Sequence, residues 1–245
     1  MTDPPERGER IAKWLARAGV ASRRDAERML AEGRVRLNGA AITHPASFVQ
    51  DGDVVQVDGA VVSAPERTRL WRYHKPDGLV TTHRDPEGRP TVFEHLPPEL
   101  PRVISVGRLD LTSEGLLLLT NDGALARRLE LPATGWLRRY RVRVHGRPDE
   151  RVLAGLARGA TIDGVRYGPI QAELDAVKGE NAWLTLGLRE GRNREVRRIM
   201  AYLNLPVSRL IRVAYGPFQL GNLPRGAVQE VPARVLRDQV PHDLA

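Results

Sequence analysis

The apolar residues of this chain change their period at Gly33, and that change limits the folds it can adopt. Over residues 9–18 they recur at helical spacing, and a second amphipathic helix is predicted from Ser22 to Gly33. After Gly33 they alternate on both sides of an Asn38-Gly39 turn, a pattern that is typical of a β-hairpin. The N-terminal part is therefore predicted to contain two short helices followed by a small sheet.

The rest of the chain is predicted to form mainly short strands. Residues 61–69 lack periodicity and contain Pro65, so they predict a linker. Strands are predicted at 71–74, 102–106, 116–120, 140–144, 170–174 and 182–188, and helices at 124–131 and 194–203. Because the helices do not alternate strictly with the strands, the pattern favours the α+β class. We expect a small domain of residues 8–60 and a larger domain of residues 70–240.

Composition limits the partners without identifying one. The formal net charge of +8 and the pI near 10.5 favour a polyanion such as RNA, an acidic protein or an anionic membrane surface. The absence of cysteine excludes disulfides, thiolate nucleophiles and cysteine-ligated zinc. The six histidines are scattered without metal-ligand spacing, and the glycines form no phosphate loop. We therefore predict no metal, and an ATPase or kinase is excluded.

Nothing in the sequence predicts a membrane segment. No apolar stretch approaches the length that crosses a bilayer, and Met1–Arg10 is polar, without the apolar core of a secretory leader. We expect a soluble cytoplasmic protein that does not act at a membrane, and a monomer is the simplest expectation for its oligomeric state.

The most informative segment presents a carboxylate from a glycine-flanked loop. Asp110 lies between Gly107 and Gly115, and apolar segments that predict strands lie on both sides of this loop. A loop of this kind can hold a reactive group rigidly at a cleft. An isolated aspartate in such a loop can also be a simple turn or cap residue, so these residues alone leave both interpretations open.

The longer run Val106–Gly123 resembles the signature of the RsuA/RluB family of ribosomal RNA pseudouridine synthases, in which Gly-Arg-Leu-Asp supplies the catalytic aspartate. Two further parts of the chain repeat the resemblance in the family's order, namely Lys75–Gly78 and Glu190–Met200 followed by Ser208–Arg212. The resemblance implies a mostly antiparallel mixed sheet with flanking helices. It also implies isomerisation of uridine to pseudouridine in RNA, without a cofactor.

The resemblance also assigns roles to individual side chains. Asp110 would act on a flipped-out uridine, either by attacking C1′ or by taking the 2′ proton. Arg108 would fill the gap that the flipped base leaves, and Tyr140 would stack on the uracil ring. Arg197 would pair with Asp110 and favour its ionised form. Leu210 would pack near the base.

Residues 9–59 resemble the S4 RNA-binding domain, through Arg10–Leu15, Gly19–Arg24, Gly33–Val35 and Leu37–Gly39. Arginines on a helix beside a small sheet can face phosphates, although a solvated charged face is the alternative. The residues predicted to bind RNA are Arg23, Arg24, Arg28, Lys75, Arg192, Arg194 and Arg198.

Two segments favour the large ribosomal subunit as the source of the substrate. Arg84–Phe93 and Arg192–Arg198 are similar to the large-subunit members of the family, whereas small-subunit members more often carry Tyr-His-Gln-Val in the second segment. The expected partner is large-subunit rRNA or its precursor particle. The long basic C-terminal extension of some relatives is absent, so RNA contacts from such a tail are not expected.

Three alternatives remain open at this point. One is a synthase that acts on small-subunit rRNA, and another is a non-catalytic RNA-binding assembly factor. The third is a glycosidase-like hydrolase, which would need a second carboxylate opposite Asp110. Glu114 is the nearest candidate in the sequence.

Overall fold

The chain forms two compact units in the computed structural model, which describes residues 8–131 and 134–240. The first unit extends to Thr68 and includes Pro101–Val103 and Asn121–Gly123, and the second comprises Arg69–Leu100, Ile104–Thr120 and the chain from Ala124 onward. Helices and strands are mixed without strict alternation, and most strand pairs are antiparallel. The predicted α+β class is confirmed.

The first unit packs two helices against short strands. Its described residues form β1 (Glu9–Arg10), α1 (Ile11–Arg17), α2 (Arg23–Ala31), β2 (Val35–Leu37), β3 (Ala40–Ile42), β4 (Phe48–Val49), β5 (Val55–Val57) and β6 (Ala60–Val61). The sheet order is β3-β2-β5-β6, and β1 pairs separately with β4. Ile11, Leu15 and Leu30 are fully buried in its core. The two helices and the hairpin expected from the sequence are therefore present.

Local sequence explains how these elements begin and turn. The Ser22 side chain caps α2 by accepting a hydrogen bond from the Asp25 N–H at 3.1 Å. Asn38 and Gly39 have φ values of 51° and 83°, the left-handed pair that a two-residue hairpin turn requires. The first helix begins at Ile11, two residues later than predicted, because the preceding residues pair with β4 as β1.

The second unit is built on a large sheet. Its described elements are β7 (Leu70–Lys75), β8 (Ile104–Val106), β9 (Glu114–Thr120), α3 (Gly123–Glu130), β10 (Arg138–His145), α4 (Glu150–Gly155), β11 (Ala160–Ile162), β12 (Val165–Tyr167), β13 (Ile170–Lys178), β14 (Asn181–Leu188), α5 (Glu195–Tyr202), β15 (Val207–Tyr215), β16 (Phe218–Gln219), β17 (Val228–Glu230) and α6 (Ala233–Gln239). The sheet runs in the order β13-β14-β10-β15-β9-β7-β17, with β8 paired to β9 and β16 to β15. The pairing of β9 with β15 is parallel, and the other described pairs of this sheet are antiparallel.

Two apolar clusters hold the helices of this unit to the sheet. One joins β10 and β14 to α5 and includes Val142, Leu184 and Ile199. The other joins β9 to α3 and includes Leu118 and Leu129. These five side chains are at most 1% exposed, so burial of apolar surface fixes α3 and α5 against the strands that they flank.

The strands and helices that the sequence predicts for this unit are present with shifted ends, but β15 is not predicted. Arginines interrupt its apolar pattern, and each of them has a hydrogen-bond partner in the fold. Arg209 pairs with Glu114 at 2.9 Å, and the Arg212 Nε donates to the Leu116 carbonyl at 2.8 Å. The helices α4 and α6 and the β11–β12 hairpin are also missed, since each of these helices and strands spans at most seven residues.

No helix within the two described ranges is both long and apolar enough to cross a membrane. The polar N-terminal segment Met1–Arg10 lies partly outside these ranges, which begin at residue 8.

Candidate active site

A cleft of about 1260 Å³ opens in the second unit between the β8–β9 loop, β10, β15 and the loop that precedes α5. Six of the residues selected from the sequence line it: Arg108, Asp110, Tyr140, Arg192, Arg194 and Leu210. Arg198 is exposed on α5 but is not part of this lining. The structure therefore brings together side chains that lie up to about 100 residues apart in the sequence.

The loop that carries Asp110 is anchored along its length. The Gly107 N–H donates to the Glu130 carboxylate at 2.7 Å. Leu109 is held on both sides by the Thr81 hydroxyl, which donates to its carbonyl at 2.8 Å and accepts from its N–H at 3.3 Å. Within the loop, the Ser113 N–H donates to the Asp110 carbonyl at 3.0 Å. These bonds fix the backbone of the loop and with it the position of Asp110, as a preorganised reactive group requires.

Lys75 lies beneath this loop, and its predicted contact with RNA is wrong. The side chain is fully buried, and its ammonium donates to the carbonyls of Ser113 at 2.9 Å, Asp110 at 3.2 Å and Leu111 at 3.4 Å, as well as to that of Pro76 at 3.0 Å. Burial lowers the pKa of Lys75 to about 8. The lysine thus satisfies carbonyls of the Asp110 loop from inside the protein.

Replacement of Lys75 by Met should remove these hydrogen bonds at similar volume. Buried carbonyls left without donors cost roughly 1–3 kcal/mol each, and relief from burying a charge offsets part of that cost, so we expect a net loss of about 2 kcal/mol in the free energy of unfolding. Urea unfolding measures this loss. Lys178→Met, at an exposed lysine, is the control, and equal behaviour of the two variants would contradict the role of Lys75.

The Asp110 carboxylate lines the cleft without an ion pair in the part of the chain that the structure describes. The predicted pairing with Arg197 is not formed. Instead, Arg197 Nη2 donates to the Thr112 carbonyl at 3.0 Å and Nη1 to the Val207 carbonyl at 3.3 Å. Burial lowers the pKa of Arg197, and so does the charge of Arg194, while the charge of Asp110 opposes both. Arg197 therefore holds the Asp110 loop through its guanidinium.

Neighbouring strands position the side chains opposite Asp110. Tyr140 of β10 lies beside Arg212 of β15 in the sheet register, and Val142 lies beside Leu210. Because side chains two residues apart on a strand share a face, Tyr140 and Leu210 both point to the cleft side of the sheet. Tyr140 is half-buried and Leu210 is buried, so together they form one wall with an aromatic and an aliphatic part.

Sequence reasoning missed three large side chains of the cleft. Arg138 Nη2 donates to the Tyr215 hydroxyl at 3.0 Å, and the Tyr215 hydroxyl donates to the Leu129 carbonyl at 2.9 Å. The Arg138 and Arg212 guanidiniums lie 4.8 and 5.1 Å from the Tyr215 ring centroid. Arg138 could have been found from the sequence, because it lies two residues before Tyr140 and side chains at that spacing share one face of a strand. Arg212 and Tyr215 lie on β15, the strand that was not predicted.

The loop before α5 forms the basic rim of the cleft. Its geometry depends on Glu195, which is buried and accepts a hydrogen bond from the Arg192 N–H at 3.0 Å. Burial raises the pKa of Glu195. The Arg192 side chain pairs with Glu190 at 2.7 Å, and Arg194 adopts a left-handed conformation with φ of 51°. The rim arginines are thus fixed by the start of the helix.

Glu114 does not supply the second carboxylate that a hydrolase would need. It is 5% exposed and does not line the cleft. Its two oxygens bind the Arg209 guanidinium at 2.9 and 3.0 Å, and Arg225 approaches it at 3.0 Å. Both oxygens of Glu114 are therefore occupied by guanidinium groups outside the cleft. The residue that favoured the hydrolase interpretation therefore has a structural role.

In the first unit, the arginines predicted to bind RNA lie on the exposed face of α2. Arg28 pairs with Asp25, and Arg23 lies 3.6 Å from Glu27. Arg24 is exposed and has no ion pair among the residues described. Within those residues, no cluster of three histidine, aspartate or glutamate side chains has the geometry of a metal site.

Family models match both parts of the chain. A model described as RNA pseudouridylate synthase matches residues 69–202, and a model of the S4 domain matches residues 9–55. A solved structure described as a pseudouridylate synthase superposes with a TM-score of 0.64 at 24% identity, and the match covers 95% of this chain and 99% of that one. At this identity the likeness supports the fold alone.

Relatives are similar over most of the chain. An uncharacterised RNA pseudouridine synthase of Rickettsia felis is 46% identical over 228 residues, which are 93% of this chain and 99% of the relative. The ribosomal large subunit pseudouridine synthase B of Haemophilus influenzae is 42% identical over 235 residues, which are 93% of this chain and 66% of that protein. The enzyme of the same name from Pasteurella multocida is also 42% identical.

Proposed function

This chain belongs to the RNA pseudouridylate synthase family and carries an N-terminal S4 domain, and we propose that it converts a uridine of large-subunit ribosomal RNA into pseudouridine. Its class, an isomerase that acts on RNA, agrees with the expectation from the sequence. The identity of 42% to a relative named for the large ribosomal subunit supports this choice of substrate. The finer choice between free rRNA and a precursor particle stays a prediction, as does the monomeric state.

The observation that carries the catalytic proposal is the Asp110 carboxylate, which lines the cleft on an anchored loop and has no ion pair among the described residues. In the reaction the N1–C1′ bond of uridine breaks, the uracil turns, and C5 bonds to C1′. N1 gains a proton and C5 loses one, so the product is an isomer and nothing is oxidised. Asp110 would attack C1′ or remove the 2′ proton.

The wall of the cleft suits an extruded base. We assign Tyr140 to stacking on the uracil ring and Leu210 to packing against its edge, since both line the cleft beside Asp110. Arg108 is exposed, also lines the cleft and lies two residues before Asp110, so it would fill the gap in the RNA that the flipped base leaves. Arg197 would hold the Asp110 loop in place through its hydrogen bond to the Thr112 carbonyl.

The remaining arginines would bind the RNA backbone. Arg192 and Arg194 line the rim of the cleft, and Arg198 is exposed on the same helix, where phosphates of the substrate would pass. Arg23, Arg24 and Arg28 would give the S4 domain a contact of its own, with little reading of sequence. Bacterial ribosomal RNA is located in the cytoplasm, so a bacterial enzyme that modifies it would act there.

The experiment that tests this function uses protein-free transcripts of large-subunit and small-subunit rRNA. The purified protein is incubated with each, and pseudouridine is mapped by carbodiimide labelling and primer extension. A new stop in the large-subunit transcript is the expected result. A stop only in the small-subunit transcript would correct the substrate, and binding without any stop would favour a precursor particle as substrate.

Substitution of Arg24 by Ala should weaken RNA binding without changing kcat. Loss of one phosphate contact lowers the slope of log K against log salt concentration by about 0.7–0.9. Arg34→Ala is the control, because it removes the same charge from the same unit. The Arg34 guanidinium already binds Asp58 at 2.6 and 2.8 Å, so the salt dependence of RNA binding by this variant should equal that of the original protein. Binding titrations across salt concentrations measure both slopes. Equal slopes for the two variants would contradict a phosphate contact at Arg24.

A further inference from the structure

A pair of stacked rings lies on the cleft beside the Asp110 loop and has no part in the chemistry described above. The His83 and Phe93 ring centroids are 3.5 Å apart, and the ring planes are 14° from parallel. Phe93 is half-buried, whereas His83 is exposed, and both rings line the cleft together with Arg108 and Asp110. His83 is therefore the solvent-exposed ring of the stack on the cleft side.

The segment that carries the two rings is held in one conformation. The Val80 N–H donates to the Pro90 carbonyl at 3.0 Å, and the Val92 N–H donates to the Val80 carbonyl at 2.9 Å. Between these bonds, Asp85 pairs with Arg89 at 2.8 Å and closes the intervening turn. A stack held in this way needs little ordering when it binds, so a contact to it loses little conformational entropy.

One hydroxyl ties this segment to the catalytic loop. Thr81, two residues before His83, donates to the Leu109 carbonyl at 2.8 Å and accepts from the Leu109 N–H at 3.3 Å. Leu109 is the residue directly before Asp110. The stacked rings are therefore positioned relative to the catalytic carboxylate through two hydrogen bonds, and a ligand on His83 would lie next to a base bound at Asp110.

We propose that the exposed ring of His83, backed by Phe93, is a stacking platform for a nucleobase that neighbours the flipped-out uridine in the RNA. The inference rests on the proposed function and names a second subsite of the same cleft. Extrusion of the target base disturbs the stacking around it, and a neighbouring base that also leaves the stack exposes a planar face. An aromatic ring beside an exposed arginine, here Arg108, is the combination that binds unstacked bases in single-stranded nucleic acids. Since every base has such a face, the contact would tolerate different bases.

The test compares His83→Ala with His83→Tyr and with His145→Ala, which removes an exposed histidine outside the cleft. Stacking of one base contributes about 1–3 kcal/mol, so His83→Ala should raise both KM and Kd for the large-subunit rRNA transcript about 5- to 150-fold. kcat at saturating RNA should stay within about twofold of the original, because His83 does not touch the reacting atoms. His83→Tyr should restore KM and Kd, and His145→Ala should leave them unchanged.

A second arm identifies the base. A short RNA hairpin that contains the mapped uridine is made with an abasic nucleotide on its 5′ side or its 3′ side. On one of these RNAs His83→Ala should bind as tightly as the original protein, because the partner of the ring is gone. Equal penalties on the intact RNA and on both abasic RNAs would overturn the proposal, as would an unchanged KM and Kd for His83→Ala.

The outcomes also separate the proposal from the proposed function. If no pseudouridine forms but Kd still weakens in His83→Ala and recovers in His83→Tyr, the platform stands and the assigned reaction or substrate falls. If pseudouridine forms and His83→Ala has the KM and Kd of the original protein, the reaction stands and the platform falls.

Discussion

Replacement of Asp110 by Asn is expected to lower kcat by about 10⁴-fold or more while Kd for RNA stays within about twofold. An amide of the same shape can neither attack C1′ nor accept the 2′ proton, so either route for the carboxylate is lost. RNA affinity should persist because phosphate contacts dominate it. The loop should also keep its shape, since Thr81, Glu130 and Lys75 hold it through backbone atoms and not through the carboxylate. Single-turnover assays on the rRNA transcript, with binding measured in parallel, give both numbers.

Asp163→Asn is the matched control for this substitution. Asp163 is exposed in the β11–β12 turn, where φ is 51°, a conformation that asparagine adopts readily. The exchange removes the same charge from the same unit and should leave kcat unchanged. Retention of more than about one per cent of the activity by Asp110→Asn would contradict a direct role for this carboxylate, since loss of a positioned base alone costs about 10²–10⁴-fold.

The parts of the site that could be predicted from the sequence are those that lie close together along the chain. Arg108 and Asp110 share one loop, and the apolar segments on both sides predict the strands that hold it. Arg192 and Arg194 precede a helix whose apolar spacing is also local. For such segments the residue types and their spacing contain most of the information that the fold uses.

The parts that could not be predicted depend on pairing between distant strands. Tyr140 lies beside Arg212 only because the register of β10 and β15 shifts between Arg139 and Tyr140. Register shifts of this kind are set by tertiary packing and leave no local pattern. The arginines of β15 broke the apolar alternation because their partners, Glu114 and the Leu116 carbonyl, lie about 95 residues away.

The environment of Lys75 also could not be predicted from the local sequence. A lysine is almost never fully buried unless it is paired, so the sequence favoured an exposed residue that binds phosphate. Its partners are carbonyls that the Asp110 loop turns inward, 35 to 38 residues further along the chain. The burial of the ammonium therefore depends on the placement of that loop, which the residues around Lys75 do not indicate.

Gly115→Ala should strongly destabilise the protein, because β9 and β15 meet at this glycine. Gly115 has a φ of 102°, and a Cβ there would lie 2.2 Å from the Arg212 carbonyl oxygen and 2.7 Å from the Arg212 nitrogen. Both atoms belong to the backbone of a central strand, so neither can rotate away. The methyl group must separate the strands at their parallel contact, and the alanine must adopt a conformation that glycine favours.

We expect the free energy of unfolding to fall by about 3–5 kcal/mol, the sum of a strained backbone and an overpacked contact. Gly164→Ala separates the two effects, because Gly164 also has a positive φ, of 75°, but no atom lies within 4 Å of the added Cβ. That variant should lose only about 1 kcal/mol, from the backbone alone. Urea unfolding of both proteins measures the difference. Equal losses would mean that β9 can shift away from β15 at little cost, and the position of Asp110 would then depend on the hydrogen bonds of its loop more than on the contact between these strands.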